Sequence, residues 1–202
     1  MGLFDDLEDD VIVSKNIKIE ARAEKSKLKK ELKTLYRNQN CIDLIESVGG
    51  LPLNDEIINF VSNGASDTGS FLEAMIKEFG IIDEIYLSTW TISQKNVNRL
   101  VELFDNGTIK KLVFVINNGL LATNSTKSIW GSIRENFSKR NIKFVAVNAH
   151  AKVFCVKAKD RFVTVSGSGN WSENPRIENY FLIGGQQSYN FNKSWMEDMF
   201  NE

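Results

Sequence analysis

Apolar residues recur along this chain with two periods, and the alternation between the periods lays out its elements. Ser70–Phe79 sets Phe71, Leu72, Met75, Ile76 and Phe79 at helical spacing, with Gly80 to end the helix. Val97, Leu100, Val101 and Phe104 predict a helix over 93–105, and Ile129, Trp130, Ile133 and Phe137 predict another over 126–140. Between these helices stand short runs that are apolar almost throughout: 85–90, 110–118 and 142–148, read as buried strands. The rhythm then changes. "AKVFCVK" and "RFVTVSG" are strand-like runs joined by "AKD", a hairpin, and "NYFLIG" at 179–184 is a further strand. Residues 189–200 predict a closing helix with Phe191, Trp195, Met196, Met199 and Phe200 on its apolar side. No internal repeat is visible. Strand–helix alternation followed by hairpin-linked strands predicts an α/β fold, a mixed β-sheet flanked by helices.

The N-terminal part has a different pattern. Residues 1–13 are acidic, and 18–37 read as a helix without Gly or Pro, carrying only a thin stripe of Leu28, Leu32 and Leu35. Eight Lys and Arg stand against three Glu there, a local charge of +5 in a chain whose net charge is −1. That pattern suits a solvated face, a basic arm for nucleic acid, or a helix packed on a partner chain. "GGLP" at 49–52 breaks the chain. The expected division is therefore 1–48, an acidic tail and basic helical arm, and 49–202, the α/β domain.

Composition narrows the class. With 202 residues, 42% hydrophobic and 25% charged, the chain suits a globular domain with a substantial core. Cys41 and Cys155 have no metal-ligand spacing, and Cys155 sits in an apolar run as a buried thiol. The acidic start is unlike a secretory signal, and no apolar run reaches the ~20 residues of a membrane span. A cytoplasmic protein without membrane attachment is expected.

The candidate chemistry lies at 150–179. His150 is the only histidine in the chain. It comes just after a buried strand, and strand ends of open α/β sheets are where ligands gather. Lys152, two residues on, points to the same side in an extended chain. Gly167, Ser168, Gly169 and Asn170 end the other strand of the hairpin, which brings them beside 150–152. A lysine, neutral donors and glycine backbone form a phosphate-binding set. A histidine within it serves as nucleophile or general acid.

These residues resemble the motif of the phospholipase D superfamily: His-x-Lys, four residues, Asp, six residues, Gly-Ser-x-Asn. His150, Lys152, Gly167, Ser168 and Asn170 match it, and Glu178 in "NPRIEN" stands where the family has a glutamate that supports a catalytic histidine. The resemblance spans roughly 83–184. One position departs: Lys157 stands where the motif has Asp, while Asp160 keeps the six-residue spacing to Gly167. From its polar surroundings, Asp160 is expected in an exposed turn, out of reach of His150.

The resemblance implies a metal-independent phosphodiesterase, in its nuclease-like branch, working through a phospho-histidine. It implies catalytic roles for His150, Lys152, Ser168, Asn170 and Glu178, with the Glu178 carboxylate on the imidazole. Gly167, Gly169, Trp171 and Arg176 are the expected substrate contacts, and Trp90 is a further tryptophan of note. No metal or other cofactor is expected. Family sites use two such motifs and this chain has one histidine, so a homodimer with nucleic acid as partner is expected. The alternative is a phospholipase D-like fold kept as a non-catalytic module that binds nucleic acid or protein.

Overall fold

The structure is a computed structural model that describes residues 40–62, 67–121, 124–173 and 175–201. The acidic stretch at 1–13 and the expected helix at 18–37 lie outside the described residues. Residues 40–47 are helical (α1), and Gly49 and Gly50 close that helix at φ +93° and +105°, a backbone region open mainly to glycine. Cys41 and Ile45 of α1 are buried with the main core, and the compact unit spans Arg37–Glu202. Gly49 and Gly50 end a helix that itself packs into the core of the α/β domain.

The remaining elements are β1 (Ile57–Ser62), α2 (Gly69–Phe79), β2 (Glu84–Thr89), α3 (Gln94–Asp105), β3 (Leu112–Asn117), α4 (Asn124–Ser138), β4 (Lys143–Val147), β5 (Val153–Ala158), β6 (Arg161–Gly167), β7 (Glu178–Gly184) and α5 (Gln186–Asp198). The seven strands form one sheet in the order β1-β7-β6-β5-β2-β3-β4. Strands β2, β3 and β4 run parallel, and the others pair antiparallel. The mixed sheet and flanking helices are those the periodicity predicts. Strand β1 was not legible: "IINFVS" is an edge strand with Ile57 and Val61 exposed, so it lacks the marks of burial.

Side chains of each strand alternate between two cores. One face buries Leu87, Phe114, Ile116, Phe154 and Val156 against Phe71 and Met75 of α2, Leu100 and Leu103 of α3, and Ile133 and Phe137 of α4. The other buries Tyr86, Val113, Val115, Val153 and Cys155 beneath Tyr189 and Met196 of α5. Strand β3, central and covered on both faces, is buried at all six positions, which is why it reads as an unbroken apolar run. Each fully buried large side chain contributes ~1.5–3 kcal/mol.

Helix α5 corrects one expectation. Phe191 is 71% exposed, while Tyr189 and Met196 face the sheet. Residues seven apart share a helix face, whereas Phe191 stands about 200° round from Tyr189. Burial pushes the Cys155 thiol up to about 12, as expected of an inert core cysteine. No helix among the described residues is long and apolar enough to cross a membrane.

Candidate active site

Strand β4 ends at Val147, β5 begins at Val153, and the connection between them carries His150 to one end of the sheet. That connection is tethered from beneath. Asn117, at the end of β3, donates from Nδ2 to Ala149 O at 2.7 Å, and Ser88 of β2 donates from Oγ to Ala151 O at 3.4 Å. His150 therefore projects from a fixed backbone while its side chain stays exposed.

Lys152 Nζ lies 3.3 Å from His150 Nδ1 and 3.3 Å from His150 O. A charged lysine only donates, so a hydrogen bond from Lys152 to Nδ1 requires the tautomer in which Nδ1 carries no proton. Partial burial lowers the Lys152 pKa from its ordinary value, and the nearby Glu178 carboxylate acts in the opposite direction. The indole of Trp90, just past β2, lies against the imidazole with ring centroids 4.6 Å apart at 58°.

The hairpin of β5 and β6 brings the second part of the site alongside. Val153 pairs with Ser166, and Gly167 N donates to Lys152 O at 3.2 Å. Chain 169–171 is then clamped by the starts of two helices. Thr68, before α2, donates from Oγ1 to Gly169 O at 2.9 Å and from its backbone N to Asn170 O at 3.3 Å. Ser93 N and Asn96 Nδ2, at the start of α3, both reach Trp171 O at 2.8 Å. Gly169 has no room for a side chain: a Cβ would sit 1.9 Å from the Tyr180 hydroxyl.

His150, Lys152, Gly167 and Ser168 line one concavity of about 590 Å³, together with Asn192 and Trp195 of α5. Asn170 and Gly169, expected at the site, are not among the residues that line it; Asn170 is half-buried, with its Oδ1 lacking a hydrogen-bond partner among the described residues. In the sequence, Asn192 and Trp195 mark only a closing helix. Their place at the site comes from how α5 crosses β5 and β6, which no local pattern encodes.

Three expectations are corrected. Glu178 is buried but does not hold the imidazole: its carboxylate accepts from Ser168 Oγ, and Asn179 N donates to that same Oγ at 3.0 Å. The partners of the imidazole are Lys152 and Trp90. Trp171 is 2% exposed and packs edge-on against Phe154 with ring centroids 5.3 Å apart. It belongs to the core and has no face to offer a substrate. Arg176 is exposed in the β6–β7 connection and does not line the concavity.

Asp160 is exposed in the β5–β6 turn, next to Lys159 at φ +55°, as its polar setting predicts. The turn is at the opposite end of the hairpin from His150. Lys157, where the motif has Asp, pairs across strands with Glu84, its Nζ 3.7 Å from Glu84 Oε1. Lys111 and Lys193 hold the same carboxylate at 3.2 Å each. The departure at 157 thus belongs to a charge cluster joining α5 to the sheet, remote from the histidine.

No protein-family model matches the sequence, and no curated protein matches it. Solved structures do. Nuc from Salmonella typhimurium, a phospholipase D family member, superposes with a TM-score of 0.51 at 14% identity, covering 72% of this chain and 92% of Nuc. TrmBL2, an archaeal chromatin protein whose structure shows a novel mode of DNA binding, gives a TM-score of 0.51 at 13% identity. That match covers 87% of this chain and 63% of TrmBL2. The fold is the phospholipase D superfamily fold.

Proposed function

We propose that the chain is a phosphodiesterase acting on nucleic acid, independent of metal ions, with an active site shared between two copies. The observation that carries this reading is the exposed His150 imidazole beside Lys152 and Ser168 in one concavity, on a fold shared with Nuc. A substrate phosphate competes for the Lys152 ammonium and draws it off Nδ1. With Lys152 drawn off, Nδ1 carries the ring proton, and the Nε2 lone pair of one His150 attacks phosphorus. A P–N bond forms, the P–O bond to the leaving group breaks, and the second His150, present as the imidazolium, gives a proton to the departing oxygen and is left neutral. That histidine next takes a proton from water, whose oxygen displaces the first imidazole. Attack and departure are in line, so one imidazole cannot do both. The chain has one histidine, hence two copies. Lys152 stabilises the charge that grows on the phosphoryl oxygens. A cation beside the histidine disfavours a divalent metal there.

A second reading keeps the fold as a non-catalytic nucleic-acid-binding module. It is favoured by the placement of Glu178 on Ser168, with no carboxylate bonded to the imidazole among the described residues, and by the likeness to TrmBL2. The deciding assay is hydrolysis of bis(p-nitrophenyl) phosphate and of labelled oligonucleotides in excess EDTA. Activity that survives EDTA and disappears in His150→Ala supports the enzyme. Activity that requires metal, or is equal in His150→Ala, sinks it.

A further inference from the structure

We infer that the His150 site takes single-stranded nucleic acid, with unpaired bases stacked on Trp90 and Trp195; this rests on reading the site as one that binds a phosphodiester.

Charge supplies the first argument. Duplex binding is driven by rows of Lys and Arg that neutralise successive phosphates. Among the residues lining the concavity, Lys152 is the only lysine or arginine. One ammonium can hold one phosphate. Within the concavity, additional affinity must come from something other than charge.

The aromatic groups supply the second. Trp90 is 41% exposed and lies against the imidazole, yet does not line the concavity. Trp195 lines the concavity, and its Nε1 donates to Asn192 Oδ1 at 3.2 Å, which fixes the ring before any ligand arrives. The site therefore has two indoles at hand: Trp90 against the imidazole ring, and Trp195 in the lining of the concavity that His150 also lines. A phosphate held between His150 and Lys152 would have its two neighbouring nucleotides beside these rings. Stacking of bases on aromatic side chains is tolerant of sequence but requires a free base face. In a duplex both faces are covered by neighbouring pairs. A volume of about 590 Å³ suits a single nucleotide unit far better than the width of a double helix. Trp171, the aromatic next to the motif, is buried in the core and cannot do this work.

The test measures binding by the fluorescence anisotropy of end-labelled oligonucleotides at physiological salt, with the full-length His150→Ala chain so that cleavage does not interfere. Three probes of equal length are compared: a single strand, its duplex, and an abasic single strand that keeps every phosphate. The basic stretch at 18–37 attracts phosphates whether or not bases are present, so the abasic comparison is blind to it. The expected result is that removing the bases weakens binding at least about tenfold. Trp90→Leu and Trp195→Leu should each weaken single-strand binding by about tenfold, and Trp90→Phe and Trp195→Phe should recover most of it. The abasic arm stands whether or not the leucine variants fold. Equal affinity for abasic and native single strands, or duplex binding as tight as single-strand binding, overturns the inference. The two readings fail separately. A wild-type chain that cleaves nothing while showing this base-dependent binding loses the catalytic reading and keeps this one. A chain that cleaves duplex and single strand alike, with no dependence on the tryptophans, does the reverse.

Discussion

Lys152 illustrates how a single side chain can be set by its surroundings. Burial lowers its pKa in the folded chain, and the Glu178 carboxylate acts against that shift. A lysine whose folded pKa lies below its unfolded value destabilises the fold, fully so at pH values below the folded pKa. The cost is relieved as pH rises through the folded pKa toward the unfolded value near 10.5. Lys152→Met should therefore melt slightly higher than wild type at neutral pH, with the gap narrowing as pH rises toward 10.5. Partial exposure keeps the effect small. Thermal melts of both chains across that range check it, and a gap that widens with pH would reverse the assignment. The same variant should be inactive, because no other lysine or arginine lines the concavity.

Strand pairing decides which polar residues can share a site. His150 lies beyond the β5 end where Val153 faces Ser166, and Asp160 lies beyond the end where Ala158 faces Arg161. At about 3.4 Å per residue, five residues separate those ends by roughly 17 Å. Asp160→Asn should retain activity within about twofold in a steady-state assay. A loss near 100-fold, equivalent to about 2.7 kcal/mol, would require the turn to reach the histidine. Helix α4 offers a prediction of stability. Gly131 lies in its interior, and an added Cβ would meet nothing within 4 Å. Gly131→Ala should stabilise the protein by about 0.5–1 kcal/mol, read as an increased urea midpoint with unchanged slope.

For the molecule as a whole, the decisive quantity is the number of histidines in one active site. A pair of His150 side chains across a two-fold axis makes every mixed dimer of wild-type and His150→Ala chains inactive. After joint unfolding and refolding, activity should fall as the square of the wild-type fraction, to about a quarter when half the chains are wild type. A linear fall, or full activity from a chain shown to be monomeric, would exclude the paired mechanism. Size-exclusion chromatography with light scattering establishes the oligomeric state independently.

Periodicity alone carried much of the fold. Phe71–Phe79, Val97–Phe104 and the run 112–117 were legible because local hydrophobic pattern and final burial coincide wherever an element has one covered face, or two. His150, Lys152 and the 167–170 segment were legible together because a tight hairpin converts sequence spacing into spatial adjacency. Strand β1 was not legible, since an edge strand lacks a burial signature, and neither was the burial of Trp171, whose environment is built from β5 and the start of α3. The Ser168 contact of Glu178 was decided only in three dimensions: the first residue of β7 meets Ser168 across the strand end, while the imidazole meets Lys152 and Trp90. Tertiary packing likewise placed Asn192 and Trp195 in one concavity with the histidine, because the crossing of α5 over β5 and β6 depends on contacts such as those of Tyr189 with Cys155 and Phe162, 34 and 27 positions away. Local sequence determines what each segment is. Which segments face one another across the sheet depends on long-range burial that no window of the chain contains.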